Sequence, residues 1–412
     1  MQTISRTGRS GSRSRHLPRA AAGAFAVALA GTASAQWPQW GGPARDFHAP
    51  DTELAEEWPE SGPRKLWERE LGAGYSSLVA DGGRLFTMYR GGEDEVVVSL
   101  DAASGATVWE HRTPATSGAP PNSTPTVAGE RVYTLGFEGR LSALERASGK
   151  LVWSHDLVAE HGAQSPQFGF AASPLVHGEA LLLPLGGAGR GVAAFALADG
   201  KLLWLAQDVE EAYASPVLIE VDGEAQVAVL AAGRVIGLSP KTGELLWSEP
   251  VGSEQNIVSP IWSPHGLMCV TGSGSCLLRF SRVDGKTRVE RVWENDQLRI
   301  AQTTVVLHGE HFYGSTGEDP YLVTAIHTGT GEVAWREPGF SLANVVSAGG
   351  KLLLLDYDGA LGLATPGPGP WTVDFKVALL QPQAFTPPSV AGNHAYLRDL
   401  HKVMALDLGQ AD

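Results

Sequence analysis

The sequence predicts an all-β chain folded as an eight-bladed β-propeller, and three observations carry that expectation. A short phrase with fixed inner spacing recurs to the C-terminus. Each copy follows an apolar strand bounded by glycine. A strand that the last copy lacks is supplied at the start of the chain.

The recurrent phrase is clearest as Ser99-Leu100-Asp101-Ala102-Ala103-Ser104-Gly105-Ala106-Thr107-Val108-Trp109 and returns as Ala143 to Trp153. Gly200 to Trp204, Gly243 to Trp247, Gly331 to Trp335 and Gly367 to Trp371 keep the glycine-to-tryptophan spacing, and Gly285 to Trp293 carries an insertion. A period of roughly 36 to 51 residues marks one supersecondary unit used repeatedly. Each unit opens on a lead-in rich in Ser, Thr and Pro: Ser76-Ser77, Ser123-Thr124, Ser173-Pro174, Ser215-Pro216, Ser259-Pro260, Thr303-Thr304, Asn344-Val345 and Thr386-Pro387. Eight lead-ins imply eight blades. Leucine-rich or β-branched strands follow, such as Arg131 to Leu135, Ala180 to Pro184 and Lys351 to Leu355, with no competing helical period.

The two ends complete each other. The last unit stops after Met404-Ala405-Leu406-Asp407-Leu408 without an outer tryptophan strand, and Lys65-Leu66-Trp67-Glu68 supplies one. The N-terminal strand is therefore expected to pair into the C-terminal blade, leaving only short, protected sheet edges. Trp67, Trp109, Trp153, Trp204, Trp247, Trp293, Trp335 and Trp371 then give one structural tryptophan per blade. Each is expected on an outer strand, filling the gap to the next blade, with the turn glycine at positive φ.

Residues 1–35 read as a signal peptide: five arginines, a short apolar run from Ala20 to Gly31, and Ala33-Ser34-Ala35 before Gln36. Export to the periplasm or beyond is expected. The chain carries a net charge of −14, and removing those arginines makes it more acidic still. Such a surface repels phosphate backbones, so no nucleic-acid partner is expected. No later stretch resembles a transmembrane segment, and a monomer is expected. Residues 36–62 read as an arm against the propeller (63–412), anchored by Trp37, Trp40 and Trp58 through surface packing. Cys269 and Cys276 flank Gly272-Ser273-Gly274-Ser275. With Thr271 opposite Cys276 they stand diagonally, a strained arrangement for a disulfide. They read as two small buried residues.

The Leu-Asp-Ala-x-Ser/Thr-Gly-x-x-x-Trp phrase resembles the tryptophan-docking repeat of the pyrroloquinoline quinone (PQQ) propellers, over residues 64–412. Trp37-Pro38-Gln39-Trp40-Gly41-Gly42-Pro43 resembles the lead-in of exported PQQ-like proteins. That family has an enzymatic branch, the quinoprotein dehydrogenases, and a non-catalytic branch that includes BamB, an accessory propeller of outer-membrane β-barrel assembly. The enzymes' vicinal cysteine pair is absent. Tyr75-Ser76-Ser77 and Pro121-Asn122-Ser123 stand where the family's cofactor glutamate and cysteines would fall, and no aspartate matches a catalytic motif. The resemblance to the non-catalytic branch therefore implies no catalytic, cofactor or metal residues. A PQQ-dependent oxidoreductase that also holds calcium is the alternative.

Three further motifs read as structural. Asp356-Tyr357-Asp358-Gly359 fits a turn between middle strands. Gly186-Gly187-Ala188-Gly189-Arg190-Gly191 leads into a strand, so it lacks the helix that holds a phosphate. His155 and His161 lack a third ligand at metal-site spacing and read as solvated. The residues preceding each inner strand, Tyr75, Asn122, Phe170, Tyr213, Asn256, Gln302 and Phe385, are expected to rim the central funnel. Aromatics mixed with amides suit an adaptable contact surface for a protein partner.

Overall fold

In the computed structural model, the described residues are 36–409 apart from 211–212, 253–254 and 368; the expected signal peptide lies outside them. They form eight antiparallel sheets of four strands each, one sheet carrying an added two-residue strand. Blade 1 comprises Val79–Asp81, Arg84–Gly91, Asp94–Asp101 and Thr107–Pro114, and each later blade repeats that inner-to-outer order.

The alternation of burial across a blade follows from its position. Second strands are packed on both faces by neighbouring blades, so Leu352, Leu353, Leu354 and Leu355 all have zero exposure. Continuous apolar runs, rather than alternation, are what two covered faces require. The outer strands meet solvent on one face, and Thr107–Pro114 alternates accordingly about the buried Trp109. Helix is confined to one turn, Leu157–His161, among the described residues.

Ring closure is as expected. Arg64–Glu70 pairs antiparallel with Lys402–Asp407, with Trp67 opposite Ala405. Arg398 of blade 8 reinforces the seam. Its guanidinium is fully buried and donates to the Ser76, Met88 and Gly72 carbonyls and the Thr87 hydroxyl of blade 1. Arg64 pairs with Asp407 at 2.6 Å.

In every blade the outer pair of strands carries a one-residue bulge immediately before the docking residue. A bulge increases the local twist and re-aims the next side chain. Trp109 thereby swings onto blade 2, where its indole donates to the Arg146 carbonyl at 3.0 Å and its ring lies against Gly149. Trp67, Trp153, Trp204, Trp293 and Trp335 make the equivalent bond to a turn carbonyl of the next blade. Gly149 has φ +71°, and a Cβ there would sit 2.4 Å from the Trp109 ring. Glycine is required twice over, for the backbone angle and for the indole.

Two blades depart from the expected set. Trp371 precedes its outer strand, Thr372–Ala378, instead of lying on it. Phe375, opposite Leu363 after the bulge, takes the docking register in blade 7 and packs edge-on against Trp58. Trp371 belongs to the turn that receives Trp335, ring centroids 5.5 Å apart. Glycine-to-tryptophan spacing misled here because the turn is longer. Trp247 faces blade 5, whose outer hairpin is extended (Gly274–Val283 with Lys286–Asn295), so it turns to the buried Gln226 at 2.7 Å and to Phe280.

The cysteine register also differs from expectation. Gly272 and Ser273 make a two-residue turn, Thr271 faces Gly274, and Cys269 stands directly opposite Cys276. The Ser273 N–H donates to the Thr271 hydroxyl, which favours the tighter turn. Both cysteines are buried free thiols.

Candidate functional site

The lead-in serines and threonines explain how eight separate sheets share one axis. The Ser77 N–H donates to the Thr124 hydroxyl, Thr124 N–H to Ser173, Ser173 N–H to Ser215, and Ser215 N–H to Ser259, at 2.9–3.1 Å. This is a relay from blade to blade across half the ring, and it satisfies backbone donors at the ends of the inner strands, where no fifth strand exists.

Inside that ring lies a cavity of about 310 Å³. Tyr75, Asn122, Tyr213, Gln302 and Phe385 line it, so five of the residues expected at the rim converge. Two do not. Phe170 is buried, its ring packed against Gly139, and Asn256 is buried with its amide donating to the Ala231 carbonyl at 2.7 Å. Their neighbours Phe168 and Ile257 line the cavity instead. In each case the lead-in positions slip by one or two residues. Phe168 is the most open of these aromatics, with 51% exposure. Asn122 holds it in place by donating to its carbonyl at 2.8 Å, and its ring stands 6.1 Å from that of Tyr213. Across the opening, Phe385 packs edge-on between Tyr75 and Tyr357. Burial, then the facing Tyr357, raises the Tyr75 hydroxyl's pKa, so it stays a neutral hydrogen-bonding group.

The cavity's remaining wall comes from outside the repeats. The arm pairs Trp37 with Ala80 of blade 1, gives its Pro38 carbonyl to Val127 of blade 2, and runs His48–Ala49 parallel to Ser347–Ala348 of blade 7. Arg45, buried, donates to the Ser173 and Pro174 carbonyls of blade 3. The arm thus crosses the axis, and Trp40 lines the cavity, its indole donating to Ser259. Surface packing does not describe these tryptophans: Trp37 is 2% exposed and Trp40 floors the funnel. Nothing in the arm's own sequence distinguishes a plug from a surface strap.

The other motifs fall where they were read, with one exception. Asp356 accepts the Ala360 N–H within a turn. In the glycine-rich loop, the Gly187 and Gly191 N–H groups donate to the carbonyls of Val209 and Gln207, and Gly189 N–H to Asp208, so these donors are taken. The exception is the histidine pair. His155 and His161 are half-buried rather than solvated, and both rings pack on Phe195 of blade 3.

A closed, tryptophan-docked eight-bladed propeller with a blind aromatic funnel is the class that this fold and site define. Two overlapping matches, residues 58–187 and 92–337, fit the family model described as outer membrane protein assembly factor BamB, and the chain belongs to that family. No curated protein matches the chain in sequence. Among solved structures, BamB from Moraxella catarrhalis is similar at 17% identity, covering 84% of this chain and 99% of its own, with a TM-score of 0.64. A quinohemoprotein alcohol dehydrogenase from Pseudomonas putida HK5 is similar at 14% identity, covering 92% and 81%, with a TM-score of 0.62. A europium-containing methanol dehydrogenase follows at 12% identity, covering 88% and 89%, with a TM-score of 0.52. At these identities the likeness is one of fold. No helix among the described residues is long and apolar enough to cross a membrane.

Proposed function

We propose that this chain is an exported, non-catalytic scaffold whose funnel takes an uncharged, aromatic or aliphatic segment of a partner protein, in the service of cell-envelope assembly. One observation carries the reading: the described residues lining the funnel are aromatics, the aliphatic Ala171 and Ile257, serine hydroxyls and two side-chain amides, with no carboxylate, lysine, arginine, histidine or cysteine among them. Rigid aromatics give contact area at little entropic cost, and the amides fix orientation. The family's description supports the envelope setting.

The same lining weighs against the oxidoreductase alternative. A calcium ion needs several oxygen ligands, commonly carboxylates, and an alcohol oxidation needs a base within reach of the hydroxyl. Asn122 and Gln302 offer amide oxygens but nothing that ionises near neutrality, so the residues present do not fit a calcium–quinone pair.

A photo-crosslinking amino acid at position 168, in cells, tests the reading. A discrete protein adduct is expected, and the double variant Tyr75→Ala/Tyr213→Ala is expected to abolish it. An adduct untouched by the double variant, or retention of PQQ and calcium with alcohol oxidation by the purified protein, would overturn it.

A further inference from the structure

Blade 2 ends differently from the others. Its outer strand, Leu151–Asp156, runs into the single-turn helix Leu157–His161, with Asp156 accepting the Ala159 N–H and Gly162 at φ +66° closing the far end. The turn folds Glu160 and His161 back beside His155. One donor atom from each of these three side chains lies within 4.8 Å of the others.

The hydrogen bonds fix which atoms face inward. His155 Nε2 lies 2.8 Å from the Gly200 carbonyl, which can only accept, so that nitrogen carries a proton. Nδ1 of the neutral ring is then a lone pair, yet it lies 2.7 Å from Glu160 Oε2, also an acceptor. Two acceptors that close require a cation between them, either an added proton or a metal ion. The Glu160 carboxylate is oriented toward that gap, because its Oε1 accepts the Asp156 N–H at 2.9 Å and its Oε2 faces His155 Nδ1. His161 Nε2 is buried with no hydrogen-bond partner.

We propose that His155 Nδ1, Glu160 Oε2 and His161 Nε2 bind a zinc-class divalent transition-metal ion at the seam between blades 2 and 3. Two imidazoles and a carboxylate, with a fourth position open to water, are a recurrent zinc set. Metal–ligand bonds of roughly 2.0–2.2 Å place ligand atoms within the span seen here after small side-chain shifts. The outer contacts are also those of a metal site, since a ligating histidine donates its other N–H to a carbonyl and a ligating carboxylate is itself hydrogen-bonded. Phe195 fixes both rings, at centroid distances of 5.3 and 5.2 Å. The Glu160 side chain is 48% exposed, which gives the ion an entry path. Because His155 also grips the Gly200 turn, a bound ion ties blade 2 to blade 3. Imidazole ligands select against calcium and magnesium.

The test uses the tag-free full chain, titrated with Zn²⁺ by calorimetry and with Co²⁺ by visible absorption. One Zn²⁺ per chain is expected, with Co²⁺ bands of a low-coordinate site and no response to Ca²⁺. Glu160→Gln and His161→Asn, each checked for native circular dichroism and thermal unfolding, are expected to weaken binding by about tenfold or more. Absence of stoichiometric uptake by the native chain, or undiminished uptake by both folded variants, would overturn the proposal. The site shares no residue with the funnel lining, so crosslinking at position 168 is an independent readout.

Discussion

The indole N–H of Trp40 donates to the hydroxyl of Ser259 at 3.1 Å, across 219 positions of the chain. Through that contact the arm adds a wall to the funnel that the repeats line. Trp40 also packs edge-on against Phe47, at 5.3 Å.

Trp40→Phe keeps the apolar floor and removes the bond to Ser259. A loss of about 1 kcal/mol is expected in denaturant unfolding. Trp40→Ala removes the ring as well and is expected to lose about 3 kcal/mol. If the two variants were equally stable, the ring's packing would not be what holds the arm across the axis.

The seam between blades 8 and 1 depends on the Arg398 guanidinium. Arg398→Met preserves much of the volume but leaves the Ser76, Met88 and Gly72 carbonyls without this donor. A loss of about 3 kcal/mol is expected from the bonds given up to the Met88 and Gly72 carbonyls, the Ser76 carbonyl keeping the Thr87 hydroxyl. Thermal unfolding measures it; a change under about 0.5 kcal/mol, the surface-substitution range, would contradict it.

Gly149→Ala and Gly129→Ala separate the two demands on the docking glycine. Gly129 has φ +55° with nothing near a Cβ, so its variant bears only the backbone strain, about 1–2 kcal/mol. Gly149→Ala adds the collision with Trp109 and is expected to lose about 3 kcal/mol or more. Equal losses would remove the indole from the explanation.

Stability near the closure responds to acid. Burial alone would raise the Asp407 pKa, but the Arg64 hydrogen bond and the Gly409 N–H outweigh it and hold the value below 3.8. A depressed folded-state pKa contributes stability that is whole above the unfolded value and fades as pH falls through the folded one. Asp407→Asn is therefore expected to lose up to about 1 kcal/mol at neutral pH, and the gap to the native chain is expected to close at the acid end. A gap independent of pH would mean that the charge is not the cause.

The buried Cys269 thiol is expected to resist alkylation. The hydrogen bond with Cys276, then burial, raises the Cys269 pKa well above the ordinary thiol value, and the thiolate is the reactive form. Iodoacetamide uptake by Cys269 in folded protein, measured by mass spectrometry, is expected only after denaturant is added.

Much of the architecture is local and so was readable. The hydroxyl lead-ins, the glycine at positive φ and the bulged tryptophan each act within one or two blades, and their repetition makes eight copies legible. The errors arose where a contact crosses blades or a turn changes length. Trp371 kept its spacing from Gly367 but lost the strand register to Phe375, and a tight turn put Cys269 opposite Cys276. Five of the seven residues expected at the rim meet at the funnel, while Phe168 and Ile257 replaced neighbours that turn inward.

By itself the sequence determined that this chain is a closed ring of eight blades and that its two ends share one sheet, because repeat period, turn glycines and strand composition are properties of short segments. Only the tertiary structure decided that the ring has a floor and that His155, Glu160 and His161 converge. Trp40 reaches Ser259 across 219 positions of the chain, and the three polar side chains meet only because one helical turn folds back against Phe195 of the next blade. Such meetings are set by packing between distant segments, which spacing along a chain does not encode.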